Sequence, residues 1–102
     1  MDRQSILHNL KQIKPKYAKE GFIIEGLFGS YARDEADEKS DIDILIHTEP
    51  TFTKRYGFAS IARLNEIKEE LSAYLKTPVD LASSSGMGTT AKKFIIDRTI
   101  YI

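Results

Sequence analysis

The sequence has no cysteine and only two histidines among its 102 residues. The absence of cysteine excludes a disulfide scaffold, a zinc–thiolate site and a cysteine nucleophile. His8 and His47 alone cannot build a multi-histidine metal cage. Neither charge is in excess, because fifteen Lys and Arg balance fifteen Asp and Glu. This balance excludes a global basic field, so we do not expect direct nucleic-acid binding beyond what a local patch could give.

Long apolar runs are also missing. No stretch approaches the roughly 20 apolar residues that cross a bilayer, and residues 1–4 do not begin a signal peptide. We therefore expect a cytoplasmic protein that does not contact the membrane. Its hydrophobic fraction of 41% and charged fraction of 29% are typical of a soluble globular chain. The length predicts a single domain over residues 1–102.

Helical spacing of apolar residues covers two long segments, residues 2–20 and 60–76. Pro15 predicts a kink or a division into two short helices in the first segment. In the second, the predicted apolar face consists of Ile61, Leu64, Ile67, Leu71, Tyr74 and Leu75. Shorter elements are expected as a helix at 29–34, a connection from Pro50, a loop over 83–88, a helix within 90–97 and an extended end at 99–102.

Three short apolar runs predict strands at residues 22–28, 41–47 and 79–82. Alternating with the helices, they indicate an α/β (α+β) domain. Its small mixed sheet has three or more strands and is covered by helices.

Three aspartates lie on the predicted strands. Asp41 and Asp43 are two residues apart, so their side chains leave the same face, about 6.6 Å apart along the backbone. Adjacent carboxylates repel each other unless a cation neutralises them, and Mg²⁺ favours carboxylates together with substrate phosphates. Asp80 joins this surface if the third strand neighbours the second. An Asp-x-Asp pair alone is more often a solvated strand end or turn, and Asp80 alone could be a surface residue that follows a proline.

Gly29 and Ser30 lie where the first strand turns into a short helix. Glycine allows a ligand to approach the backbone closely, and a helix start with a serine hydroxyl offers donors to an anion. A phosphate-binding turn beside three carboxylates is typical of sites for metal-dependent phosphoryl or nucleotidyl transfer. The acidic loop Asp34, Glu35, Asp37 and Glu38 is either a set of extra ligands or a solvated loop.

The motif Gly29-Ser30, ten residues, then Asp41-x-Asp43 resembles the signature of the DNA polymerase beta-like nucleotidyltransferase superfamily. The longer strings Leu27-Phe28-Gly29-Ser30-Tyr31-Ala32-Arg33 and Ser40-Asp41-Ile42-Asp43-Ile44-Leu45 are similar to its minimal nucleotidyltransferase branch, and the likeness covers nearly the whole chain. One position departs, since the family usually has glycine where this chain has Asp34. If a positive φ is needed there, aspartate tolerates it at some cost.

The resemblance implies a role for each residue of the motif. Asp41 and Asp43 would bind two Mg²⁺ ions; Asp80 would bind the catalytic ion and accept the proton of the attacking hydroxyl. Gly29 and Ser30 would hold the β- and γ-phosphates of a nucleoside triphosphate, expected to be ATP. Arg33 is either a further phosphate contact or an exposed helix arginine, and Lys39 is a weaker candidate of the same kind.

Members of this branch often act as antitoxins that pair with a separate helical protein of the HEPN type, and some transfer AMP to a tyrosine on it. We therefore expect a nucleotidyltransferase that modifies a hydroxyl of such a partner. Two other functions stay open: a non-catalytic antitoxin or binding module, and a small-molecule nucleotidyltransferase of the antibiotic-modifying kind. The three intact carboxylates favour catalysis, because binding alone does not need them.

Overall fold

A computed structural model of the chain describes residues 2–84, 95 and 98–102. Its helices and strands, in chain order, are α1 (Arg3–Ala18), β1 (Phe22–Phe28), α2 (Gly29–Ala32), β2 (Ile42–Thr48), α3 (Pro50–Tyr56), α4 (Ser60–Leu75), β3 (Val79–Ser83) and β4 (Ile100–Tyr101), with a 3₁₀ turn at Gly57–Ala59. The loop predicted over 83–88 begins later than expected, because Ser83 still belongs to β3. Its residues 85–88 and the predicted helix within 90–97, apart from residue 95, lie outside the described residues. No helix in the described part of the chain is long and apolar enough to cross a membrane.

The four strands form one mixed sheet in the order β3-β2-β1-β4. β1 pairs with β2 and β4 in antiparallel orientation, whereas β2 and β3 run parallel. The parallel pair needs a long crossover, which α3 and α4 supply. The expected small mixed sheet with helices is confirmed, and the third predicted strand does neighbour the second.

The core lies between one face of the sheet and the long helices. Alternate residues of β2, namely Ile42, Ile44 and Ile46, are buried there. The side chains that pack with them from α1, β1, α3, α4 and β3 include Ile6, Leu10, Tyr17, Phe22, Ile24, Leu27, Phe52, Ile67, Leu71, Leu75 and Val79. Because this face is buried, β2 directs Asp43 and His47 to the opposite face of the sheet.

Pro15 does not divide the first helix, which runs unbroken from Arg3 to Ala18. The prediction of two short helices is therefore wrong. The proline lies in the last turn, so only one interior hydrogen bond near the helix end is lost. Gly21 follows the helix with a φ of 88°, a left-handed conformation that glycine adopts without strain.

The connection expected from Pro50 contains a helix, α3. Pro50 occupies the first turn, where its missing N–H costs no hydrogen bond. Phe52 is buried, and the ring of Tyr56, one turn later, packs against it with 5.0 Å between the ring centroids. The proline at the helix start and this four-residue aromatic spacing are the signals from which α3 could have been predicted.

The apolar face predicted for α4 is only partly buried. Ile67, Leu71 and Leu75 are fully buried and Leu64 is partly so, but Ile61 is 74% exposed and Tyr74 is 41% exposed. Part of the apolar surface of α4 is therefore not covered by the sheet in the described part of the chain.

Candidate active site

The sheet places two of the predicted aspartates side by side. Asp43, the second residue of β2, is in register with Asp80, the second residue of β3. Neighbouring strands are about 4.8 Å apart, and residues in register on a parallel pair lie on the same face. The shared surface expected for Asp43 and Asp80 is thus present in the backbone pairing.

Asp41 lies immediately before β2, which begins at Ile42 and not at residue 41 as predicted. Its backbone does not join the ladder and its side chain is exposed, whereas Asp43 is half-buried. The shift by one residue leaves Asp41 at the strand end, two residues from Asp43. Asp41 thus lies at the same end of β2 as the Asp43–Asp80 pair.

The two neighbouring carboxylates change the titration of Asp43. Burial, and then the negative charges of Asp80 and Asp41, raise the pKa of Asp43 above its ordinary value, while Arg33 opposes the shift. Burial disfavours the charged carboxylate, and like charges disfavour it further. The charges of Asp80 and Asp41 therefore add to the cost of ionising Asp43, and a bound cation would relieve that cost.

Gly29 closes the site on the side of β1. β1 pairs Phe28 with Asp43, so the next residue, Gly29, begins α2 directly beside the Asp43 carboxylate. Gly29 has a φ of 76°, and a Cβ there would lie 2.1 Å from Oδ2 of Asp43. Only glycine fits between this carboxylate and the start of α2. Ser30 follows on the first turn and is half-buried.

The turn after α2 carries Arg33 and Asp34. Arg33 ends the helix and pairs with Glu35 at 3.1 Å, with 42% of its side chain exposed. Asp34 adopts a φ of 60°. The position where the family usually has glycine therefore does need the left-handed conformation. The acidic residues that follow, Glu35, Asp37 and Glu38, are all exposed.

Oxygen donors from Asp41, Asp43 and Asp80 are the types that a hard divalent cation prefers. Within the described residues, no three His, Cys, Asp or Glu side chains are already close enough to hold one ion. Asp80 instead faces α4, where its Oδ1 lies 3.5 Å from Nζ of Lys68. The donor set fits a divalent cation in its chemistry, and in this arrangement Lys68 provides the positive charge beside Asp80.

Sequence reasoning missed Lys68, because residues 68 and 80 meet only through the packing of α4 on β3. His47 is half-buried, and its Nδ1 lies 2.6 Å from Oε1 of Glu25 on β1, an oxygen that also accepts a hydrogen bond from Ser84. This cluster is four residues along β2 from Asp43.

Comparisons with known proteins find relatives along most of the chain. The family model described as "Nucleotidyltransferase domain" matches residues 9–102. The chain is 35% identical over 77 residues to "Protein adenylyltransferase MntA" of Thermococcus cleftensis, covering 76% of this chain and 71% of that one. It is 39% identical over 101 residues to "Putative protein adenylyltransferase MJ1217" of Methanocaldococcus jannaschii, covering 97% and 93%.

Solved structures share the fold. A structure described as "putative minimal nucleotidyltransferase" superposes with a TM-score of 0.78 at 28% identity, covering 100% of this chain and 97% of that one. A second, described as "Crystal structure of the toxin-antitoxin with AMP-PNP", gives a TM-score of 0.62 at 22% identity, covering 99% of this chain and 72% of that one. At that identity the second likeness concerns the fold alone.

Proposed function

Because the chain belongs to the nucleotidyltransferase domain family and is an enzyme of this type, we propose that it transfers AMP from ATP to a hydroxyl of a partner protein. We further propose that the reaction depends on Mg²⁺, with two ions bound, and that the chain is the antitoxin of a pair whose toxin is a helical HEPN-type protein. The relatives named protein adenylyltransferases support a protein acceptor. The resemblance of the Gly29-Ser30 and Asp41-x-Asp43 motif to minimal nucleotidyltransferases supports the antitoxin role.

The register of Asp43 with Asp80, beside the backbone of Gly29, is the observation that carries the proposal. It combines paired carboxylates with a helix start whose backbone lies against the Asp43 carboxylate. Asp41, Asp43 and Asp80 would hold Mg²⁺, which when bound offsets the charge of the triphosphate and polarises its α-phosphate.

The residues of the chain have separate tasks in the transfer. The backbone N–H of Gly29 and the hydroxyl of Ser30 donate hydrogen bonds to the β- and γ-phosphates of the triphosphate. The acceptor oxygen attacks the α-phosphorus, the bond from that phosphorus to the β-phosphate oxygen breaks, and pyrophosphate leaves. Asp80 takes the proton of the acceptor hydroxyl. Positioning of the acceptor supplies much of the rate, and the partner protein provides it.

The test is incubation with ATP labelled at the α-phosphate and Mg²⁺, with and without the helical protein encoded by the adjacent gene. We expect label on the partner, on a tyrosine, and none with Asp41→Ala. Glu38→Gln is the matched control, since it removes one exposed negative charge from the neighbouring loop and should label normally. Label on a free small molecule with the partner unmodified would favour the antibiotic-modifying alternative. Neutralisation of the partner by Asp41→Ala would favour a non-catalytic antitoxin.

Binding of the metal is tested separately by thermal unfolding. Mg²⁺ together with a non-hydrolysable ATP analogue should raise the melting temperature more than either alone, because the phosphates complete the coordination. Equal shifts with and without Mg²⁺ would contradict a metal-dependent site.

A further inference from the structure

Arg3, the first residue of α1, contacts the short helix that carries the glycine–serine motif. Its guanidinium Nη1 donates a hydrogen bond of 3.1 Å to the carbonyl oxygen of Ala32, the last residue of α2. The two residues are 29 positions apart in the chain, and the contact is partly buried. Water competes less with a partly buried hydrogen bond than with an exposed one. Arg3 therefore joins α1 to the helix that begins at Gly29.

The carbonyl groups of α2 differ in where their hydrogen-bond donors come from. Those of residues 29–31 accept from backbone N–H groups of the turn that follows, at 3.2, 2.9 and 3.2 Å in chain order. The carbonyl of Ala32 accepts from Arg3 instead. Local hydrogen bonds fix the shape of α2 but not its direction relative to the sheet, because their donors and acceptors move together. The bond from Arg3 comes from another part of the fold and does restrain that direction.

The direction of α2 matters because its first residue is tightly packed against the carboxylate site. A Cβ at Gly29 would lie 2.1 Å from Oδ2 of Asp43. With four residues α2 is about 6 Å long, so a small rotation at its far end changes where the donors of Gly29 and Ser30 point. The far end of α2 is where Arg3 makes its contact.

Apolar packing holds the same end of α2 but restrains it differently. Ala32 is buried, and the side chain of Tyr31 packs partly against the core. Apolar contacts are non-directional, whereas a hydrogen bond to a carbonyl oxygen prefers the plane of the carbonyl group and the direction of its lone pairs. Residues 33–35, which follow the helix, are exposed. Arg3 therefore supplies a directional restraint that the packing of Tyr31 and Ala32 does not.

The start of α1 is itself held by a cap. Asp2 is the N-cap residue, and its side chain accepts a hydrogen bond of 2.8 Å from the backbone N–H of Ser5. This cap fixes the first turn of α1, from which the Arg3 side chain extends. The guanidinium also places a positive charge at the carboxyl end of α2, where a cation is favourable.

We infer that Arg3 is a positioning residue for the triphosphate, because it holds α2 in the direction in which Gly29 and Ser30 donate to the β- and γ-phosphates. This inference rests on the proposed function. Arg3 acts through the carbonyl of Ala32 and not on the nucleotide itself. Its effect is therefore confined to ligands that carry β- and γ-phosphates, and AMP, which lacks both, binds independently of it.

The experiment compares Arg3→Met and Arg3→Lys with a control on the same helix. Lys14→Met is the matched control, because Nζ of Lys14 also donates to a backbone carbonyl, that of Ile102, at 2.7 Å. It removes one positive charge and one such contact from α1 without affecting α2. Dissociation constants of a non-hydrolysable ATP analogue and of AMP, each with Mg²⁺, are measured by calorimetry. The titrations are repeated at about 0.5 M salt, which screens attraction between separated charges.

We expect Arg3→Met to bind the ATP analogue about five- to tenfold more weakly than wild type at both salt concentrations, and to bind AMP within about twofold. Arg3→Lys keeps the charge and a donor, so it should bind the analogue within about threefold of wild type. Lys14→Met should bind both ligands as wild type does. Wild-type affinity of Arg3→Met for the analogue would overturn the inference and leave the proposed function intact.

Two further results would also overturn the inference. An equal loss of affinity for AMP would show that Arg3 supports the fold in general, and a loss that disappears at high salt would show that only its charge matters. If wild type does not bind the ATP analogue, the proposed function is wrong and the inference falls with it. If it binds the analogue in an Arg3-dependent way but does not label the partner, only the proposed transfer to that partner is wrong.

A second arm needs no nucleotide. Backbone amide signals of the ¹⁵N-labelled chain are compared between wild type and each variant. We expect Arg3→Met to shift the signals of Gly29 and Ser30, because the direction of α2 changes, and Lys14→Met to leave both in place. Unshifted signals of Gly29 and Ser30 in Arg3→Met would overturn the inference.

Discussion

The backbone of Gly29 and the carboxylate of Asp43 occupy neighbouring positions that leave no space for a side chain between them. A Cβ at residue 29 would lie 2.1 Å from Oδ2 and 2.9 Å from Cγ of Asp43. The first helix turn after β1 and a central residue of β2 therefore depend on each other. Any side chain at residue 29 has to displace a carboxylate of the proposed metal site.

Gly29→Ala should lower both stability and activity. The left-handed φ of 76° costs a non-glycine residue roughly 1–2 kcal/mol, and the contact with Asp43 adds to it. We expect the free energy of unfolding, measured with urea, to fall by about 2 kcal/mol or more, and transfer to be lost.

Gly57→Ala separates these two causes. Gly57 also has a positive φ, of 53°, but a Cβ there meets nothing within 4 Å. With its ψ of −125°, Gly57 lies outside the left-handed helical region, so the variant should cost backbone strain of about 1–3 kcal/mol and leave transfer unchanged. If the two variants lose the same stability and both remain active, the close packing of Gly29 on Asp43 is unimportant.

Asp43→Asn keeps the size of the side chain and removes one charge from a group of like charges. Because burial and the charges of Asp80 and Asp41 raise the pKa of this carboxyl, the ionised form is disfavoured in the folded state. The variant should lose transfer while its melting temperature at neutral pH is unchanged or slightly higher. A variant that unfolds would show that Asp43 has a structural role.

Ser30→Ala tests the phosphate contact proposed at the start of α2. Loss of one hydrogen bond to phosphate should weaken the use of ATP by about 1–2 kcal/mol, or about five- to thirty-fold in kcat/KM. Activity should not vanish, because the backbone donors remain. Ser5→Ala, at an exposed position of α1, serves as the control. Wild-type kinetics of Ser30→Ala would remove this hydroxyl from the site.

Glu20 and Arg63 form a bidentate ion pair between the end of α1 and α4, with N–O distances of 2.8 and 2.7 Å. The hydrogen bonds from Arg63 lower the pKa of Glu20 from 4.5 to about 2. A lowered pKa contributes stability that is present above the unfolded pKa and is lost as pH falls through the folded one. Glu20→Gln should cost about 1–3 kcal/mol at pH 7, and the difference should shrink towards pH 2.

Glu66→Gln is the control for this pair. Glu66 lies 3.5 Å from the same guanidinium group but is 65% exposed, so its removal should change stability by less than about 0.5 kcal/mol. An equal cost for the two variants at pH 7, or a cost of Glu20→Gln that persists at pH 2, would contradict the assigned role of Glu20.

Asp34→Gly should stabilise the protein. Asp34 has a φ of 60°, and Lys76 at the end of α4 has a φ of 56°. Replacement by glycine removes the left-handed strain but adds freedom to the unfolded chain, so the net gain is about 0.5 kcal/mol at either position. Asp34→Val, which is β-branched, should destabilise. A loss of stability with Asp34→Gly in chemical unfolding would show that the aspartate side chain itself stabilises the turn.

The sequence by itself determined the order of the main elements and the identity of the proposed site residues. Local patterns suffice for this, because a run of alternating isoleucines predicts a strand such as β2 wherever it folds. Gly29 and the pair Asp41 and Asp43 could be identified in the same way, because a turn and a strand end each depend on only a few consecutive residues. The helix α3 was missed although Pro50 and Phe52 carried its local signals.

Only the tertiary structure decided which of these residues meet. The parallel pairing of β2 with β3 places Asp43 in register with Asp80, and the packing of α4 on β3 turns the Asp80 side chain towards Lys68. It also left Ile61 of α4 exposed, where helical spacing alone predicted burial. Contacts between residues far apart in the chain depend on strand order and helix packing, and periodicity along a single segment carries no information about either.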